Sequence, residues 1–212
     1  MNSTEKEISY NITNTYSTLN VLTAKTKNVW FVCHGIDYLS RYFLKYFKDL
    51  NPAENYIIAP QASSKHYLGT NYKHVGASWL TKENTVTEIE NVMRNFDAVF
   101  EAEQIPKNVN LIVLGYSQGV SVALRYVAKR QLQCSHLVIM SGGIPNELTA
   151  NDFKFLKAKV YFVFGNQDEY INDERLLLEK HKVNILYGET AKIISFEGKH
   201  AVNTNFINKL GS

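Results

Sequence analysis

The sequence predicts an α/β fold with a mainly parallel central sheet and helices on both of its faces. Three observations predict it. Strand-like apolar runs alternate along the chain with helical patterns, as in folds built from strand–helix–strand units. The run at 28–33 is apolar almost without a break, as in a strand buried on both faces. The 212 residues are 45% hydrophobic and 20% charged, a composition for one globular domain, 1–212, and not for a disordered chain.

The elements follow in order. Residues 8–22 alternate loosely through Ile8, Tyr10, Ile12, Tyr16, Leu19 and Val21, which suggests a polar-faced antiparallel hairpin at a sheet edge. The buried strand at 28–33 comes next. Residues 38–50 carry Leu39, Tyr42, Phe43, Tyr46 and Phe47 at helical spacing, and Pro52 lies just past their end. A second short strand at 56–59 is stopped by Pro60. Residues 61–82 show little periodicity and read as a long loop, a kind more often functional than idle. Residues 83–104 give the clearest helix, with Val86, Ile89, Met93, Phe96 and Phe100 expected on one face. A strand at 109–114, a helix at 118–130 and strands at 136–140 and 159–164 continue the alternation. A helix at 172–182, a strand at 191–196 and a closing helix at 202–210 complete it.

Composition narrows the function. The formal charge is +3 and no run of basic residues is long enough for a nucleic-acid footprint. Cys33 lies inside the apolar run and reads as a buried thiol. Two scattered cysteines suggest neither a disulfide framework nor a zinc site, and no metal is expected. Met1 to Glu7 lack a basic start followed by an apolar stretch, and no window is long and apolar enough to span a bilayer. The expectation is a cytoplasmic protein without a membrane span, acting on a small molecule.

Residues 115–119 read Gly115-Tyr116-Ser117-Gln118-Gly119, the pattern G-x-S-x-G, with an apolar strand before and a helix behind. A serine on a sharp strand-to-helix turn projects its hydroxyl from the carboxyl edge of a sheet. Glycines flank it because side chains there would meet neighbouring backbone. The helix that follows aims its amides at the site, where they favour developing negative charge.

A serine hydroxyl needs a base near neutral pH. Of the six histidines, His200 alone lies in a loop after a late strand, whereas His181 falls within a polar helix and reads as solvent-facing. Asp168, in the loop after the strand at 159–164, is the candidate acid, with Glu169 and Asp173 as competitors; Asp173 reads better as a helix cap. The oxyanion donors should be the amide of Gln118 and that of Ile36, which follows His34-Gly35 at the end of the first core strand. His34 itself is expected to fix that loop by a hydrogen bond.

These residues resemble the α/β-hydrolases of the carboxylesterase, phospholipase and acyl-protein thioesterase group. The landmarks are His34-Gly35, Ala59-Pro60, G-Y-S-Q-G at 115–119, Ser141-Gly142 with Pro145, then Asp168 and His200. The resemblance implies an α/β-hydrolase fold and hydrolysis of carboxylic esters or thioesters through an acyl-serine, with no cofactor. Members of that group often carry Trp-Phe-Asp before the long helix. Here Ser78-Trp79-Leu80-Thr81 keeps only the Trp, and Trp79 is either a wall of the acyl pocket or packing for the loop. No large lid domain is inserted, which favours short or accessible acyl groups. An acyltransferase or amidase on the same fold, and a non-catalytic pocket for a small ligand, remain the alternatives.

Overall fold

The computed structural model describes residues 3–212. The N-terminal stretch examined for a signal begins with two residues outside that range. One seven-stranded sheet runs through the centre, in the order β1-β3-β2-β6-β7-β8-β9. β1 (Tyr16–Leu19) is antiparallel to β3 (Asn55–Pro60), and every other pairing is parallel. The expected antiparallel N-terminal element therefore exists at the sheet edge, with β3 as its partner. Residues 3–15 form no strand.

β2 (Asn28–Cys33) and β3 are buried at every position, as their apolar runs require. Alternation sorts β2 between two cores. Val29, Phe31 and Cys33 face one cluster, and Trp30 and Val32 face the other. The first cluster lies under α2 (Thr85–Glu103), α3 (Gln118–Lys129) and α4 (Asp173–Tyr187). The second lies under α1 (Ser40–Phe43), the 3-10 segment Leu44–Phe47 and α5 (Thr204–Gly211).

α2 buries Ile89, Val92, Met93, Phe96 and Val99. Each such side chain contributes about 1.5–3 kcal/mol when fully buried, so the inward face and not helix propensity anchors this element. Val86, expected on that face, is 84% exposed because it stands in the first turn, beyond the reach of the sheet. The helix expected over 38–50 is one α turn followed by 3-10 turns. The tighter winding puts residues three apart on one side, and Leu44, Phe47 and Leu50 are all buried.

The long loop contains structure that periodicity did not reveal. β4 (Ser64–Leu68) and β5 (His74–Ser78) form a separate antiparallel ribbon in which Tyr67 pairs with Val75. Most of its side chains are exposed on both faces, so no apolar alternation marks it. The remaining strands are β6 (Asn110–Tyr116), β7 (His136–Met140), β8 (Lys159–Gly165) and β9 (Lys192–Phe196). α4 starts at an Asn172 cap, whose side chain accepts from the Arg175 N–H at 3.0 Å. Asp173 is thus the first helical residue and not the cap. No helix among the described residues is long and apolar enough to cross a membrane.

Candidate active site

The loops after β2, β6, β8 and β9 leave the same edge of the sheet and supply the site. Ser117 stands between β6 and α3 with φ 52° and ψ −121°, a backbone conformation that costs a non-glycine residue about 1–3 kcal/mol. The flanking glycines are required by space. A Cβ on Gly115 would lie 2.5 Å from the Val120 Cα, and one on Gly119 would lie 2.1 Å from the Cys33 carbonyl oxygen.

His200, in the loop after β9, joins two side chains that are distant in sequence. Its Nε2 is 2.9 Å from the Ser117 Oγ, and its Nδ1 is 2.8 Å from the Asp168 Oδ2. The Asp168 side chain is 0% exposed and that of His200 is 16% exposed, so the carboxylate is sealed and the imidazole reaches the surface. The Asp168 Oδ1 accepts from the Tyr170 N–H at 2.9 Å, which fixes the carboxylate plane. The imidazole packs near the rings of Tyr116 and Tyr170, with centroids 5.3 and 4.7 Å away. The Tyr116 hydroxyl donates to the His200 carbonyl. Such an array can take a proton from Ser117 while the buried carboxylate steadies the cation that forms.

The sequence model of the phospholipase/carboxylesterase family matches residues 17–210. The chain belongs to that family. Among solved structures, acyl-protein thioesterase 2 of Zea mays aligns over 93% of this chain and 96% of its own, at 13% identity and a TM-score of 0.67. A phospholipase/carboxylesterase from Dyadobacter fermentans aligns over 96% and 97%, at 21% identity and TM-score 0.64. Esterase PE8 aligns over 93% and 99%, at 19% identity and TM-score 0.64. At these identities the likeness establishes the α/β-hydrolase fold. Curated protein sequences gave no match.

The other candidate residues of this phospholipase/carboxylesterase family member fall as follows. The Glu169 Oε2 accepts from the His200 backbone N–H at 3.4 Å, while the imidazole nitrogens meet Asp168 and Ser117 instead. Hydrogen bonding to its own backbone amide, helped by that contact, holds its carboxyl below the usual range. His181 is exposed on α4. The Ile36 N–H, in the loop after β2, has no hydrogen-bond partner among the described residues. The Gln118 N–H opens α3, where first-turn amides have no partner within the helix. Gly35 is needed for room and not for a left-handed turn. A Cβ there would press on the Tyr116 ring at 3.1 Å and on the Ser117 Cβ at 3.2 Å. The left-handed residue of that loop is Asp37, with φ 68°.

His34 holds the loop as expected. Its Nδ1 is 2.7 Å from the Gly35 carbonyl oxygen, and its Nε2 accepts from the Ala62 N–H at 3.2 Å. Burial pushes its pKa down to about 4, so it is a neutral imidazole near pH 7. Trp79 is 1% exposed, and its indole donates to the His34 carbonyl at 2.7 Å. Loop packing accounts for this side chain. Cys33 and Cys134 are buried free thiols, and burial pushes Cys134 up to about 12. Among the described residues no group of three His, Cys, Asp or Glu is placed to hold a metal ion.

Sequence reasoning missed Tyr116 and Tyr170 as neighbours of the His200 ring. Their positions beside Ser117 and Asp168 were the available signal. It also missed that the Gln118 side chain reaches Ser78, Trp79 and Leu80, which no short-range pattern encodes.

Proposed function

We propose that this protein is a serine hydrolase that cleaves carboxylic esters or thioesters through an acyl-serine intermediate. The observation that carries the reading is the single imidazole bonded at one nitrogen to Ser117 and at the other to Asp168. His200 takes the hydroxyl proton as the Ser117 Oγ attacks the acyl carbonyl carbon. The oxyanion accepts from the Ile36 and Gln118 amides. Collapse expels the alcohol or thiol, which receives the proton from His200. Water then attacks the acyl-serine, gives its proton to His200 and releases the acid, and Ser117 recovers its proton.

Membership in the phospholipase/carboxylesterase family supports ester cleavage, and an acyl-protein thioesterase and an esterase share the fold. The loops at the carboxyl edge of the sheet are open, with Ile36 47% and Tyr170 62% exposed, which suits short or accessible acyl groups. A fluorophosphonate probe tests the reading. The expected result is one adduct, located on Ser117 by peptide mass mapping, with loss of hydrolysis of short acyl esters and thioesters. A protein that stays unlabelled and turns over none of these substrates overturns it.

A further inference from the structure

We propose that the five-residue segment Gly76–Leu80 braces both oxyanion donors at once, with Gly76 and the Gln118 side chain as positioning residues. The inference rests on the serine-hydrolase reading above. Two amides that share one oxyanion must be held to about 0.5 Å of each other's working geometry. Here they come from different elements, Ile36 from the loop after β2 and Gln118 from the start of α3. One further segment touches both.

On the first side, the Asp37 N–H donates to the Ala77 carbonyl at 2.9 Å. Gly76 lies so close that a Cβ would stand 2.7 Å from both the Asp37 Cα and its carbonyl oxygen. From β4, the His66 Nε2 meets the Asp37 Oδ1 at 2.8 Å. Asp37 directly follows Ile36, so displacing it rotates the peptide that carries the donor. The Trp79 indole holds the same loop two residues upstream of Ile36, through the His34 carbonyl.

On the second side, the Gln118 Oε1 accepts from the Trp79 N–H at 2.8 Å. Its Nε2 donates to the Leu80 carbonyl at 2.8 Å and to the Ser78 Oγ at 3.0 Å. A carboxamide supplies the acceptor and the donor that this stretch of backbone demands, and a carboxylate or thioether supplies only part of that pairing. Ala77 and Trp79 are 0% and 1% exposed, so the brace is set in the packed core and transmits displacement instead of absorbing it. Gln118 thus acts twice, through its backbone amide on the oxyanion and through its side chain on the segment that aims the other donor.

The test compares wild type, Gln118→Met, Gln118→Glu, Gly76→Ala and Ser117→Ala. For each, kcat and KM are measured on a short-chain ester, together with affinity for a boronic acid that forms a tetrahedral adduct on serine. Rates of the proteins that keep Ser117 are normalised to serine titrated by fluorophosphonate, which removes any unfolded fraction, and the rate of Ser117→Ala is normalised to folded protein measured by circular dichroism. The expected result for Gln118→Met and Gly76→Ala is a fall in kcat of about 10- to 100-fold with KM within about twofold, and boronate affinity weakened to match. Gln118→Glu, which still accepts from the Trp79 N–H, is expected to fall between wild type and Gln118→Met. Wild-type kcat and boronate affinity in Gln118→Met overturn the brace, even if Gly76→Ala fails to fold. Full ester turnover in Ser117→Ala overturns the serine-hydrolase reading itself.

Discussion

The Gln167 N–H donates to the Gly198 carbonyl at 2.9 Å, joining the loop that carries Asp168 to the loop that carries His200. The Gly198 N–H in turn donates to the Asn166 side chain, and the Asn166 N–H donates to the Phe196 carbonyl. The two loops form one hydrogen-bonded unit beyond the paired ends of β8 and β9. Asp168 and His200 are therefore placed together and not independently.

That unit is tight at Gly165, where a Cβ would stand 2.3 Å from the Lys199 carbonyl oxygen and 2.4 Å from that of Gly198. Both obstacles are backbone, so neither can swing aside. Gly165→Ala is expected to cost about 1–3 kcal/mol of stability through overpacking. It should also lower kcat by about 100-fold, because the His200 loop must shift by a fraction of an ångström or more. Urea denaturation and ester kinetics on the same preparation check both effects.

Ser117→Ala removes the proposed nucleophile and leaves the packing almost untouched. Turnover of a chromogenic ester is expected to fall by about 10⁴- to 10⁶-fold, with the melting temperature close to that of wild type. Activity within tenfold of wild type would mean that another group attacks.

Asp168→Asn keeps the shape of the buried side chain but presents an amide to the imidazole. Where an amide N–H faces Nδ1, the proton is forced onto Nε2, and that nitrogen can no longer accept from Ser117. The expected loss in kcat is about 10⁴-fold with KM little changed. Steady-state kinetics decide it, and an equal loss for Glu169→Gln would shift the acid to residue 169.

His34 provides a pH signature in stability. Its folded pKa is lowered by burial from 6.5 to about 4, so between these values the unfolded chain holds more protons than the folded one. Stability from this site is complete above 6.5 and declines as pH falls through the window, by about 2 kcal/mol at pH 5 relative to pH 7. Urea unfolding of wild type and His34→Asn at both pH values isolates the contribution. A difference between the two proteins that does not change with pH would refute it.

Much of the site was legible because its chemistry is local. The G-x-S-x-G turn needs a strand before it, a helix behind it and glycines within it, all of which lie within a few residues of Ser117. Asp168 and His200 were legible because each follows an apolar run that could only be an inner or late strand. Parallel β8 and β9 then bring their loops together. The two-faced burial of β2 and the amphipathic stripe of α2 were legible for the same reason, since both depend on sequence spacing alone.

Tertiary structure decided what spacing does not encode. β1 found its partner in β3, about forty residues away, because edge pairing depends on which strand leaves its ladder open and not on the residues of β1. The ribbon β4–β5 carries no apolar alternation because β4 is mostly exposed and β5 buries only the consecutive small residues Gly76, Ala77 and Ser78, and it persists through its own hydrogen bonds and its contact with Asp37. The left-handed conformation in the loop after β2 is taken by Asp37 and not by Gly35, which instead sits close against the Tyr116 ring. The Gln118 side chain acquired its partners only when residues 78–80 folded over α3. Sequence determined which polar groups stand at the ends of the strands, because strand and helix periods are local. The tertiary fold determined what holds those groups still, because that depends on close approaches between backbones far apart in the chain.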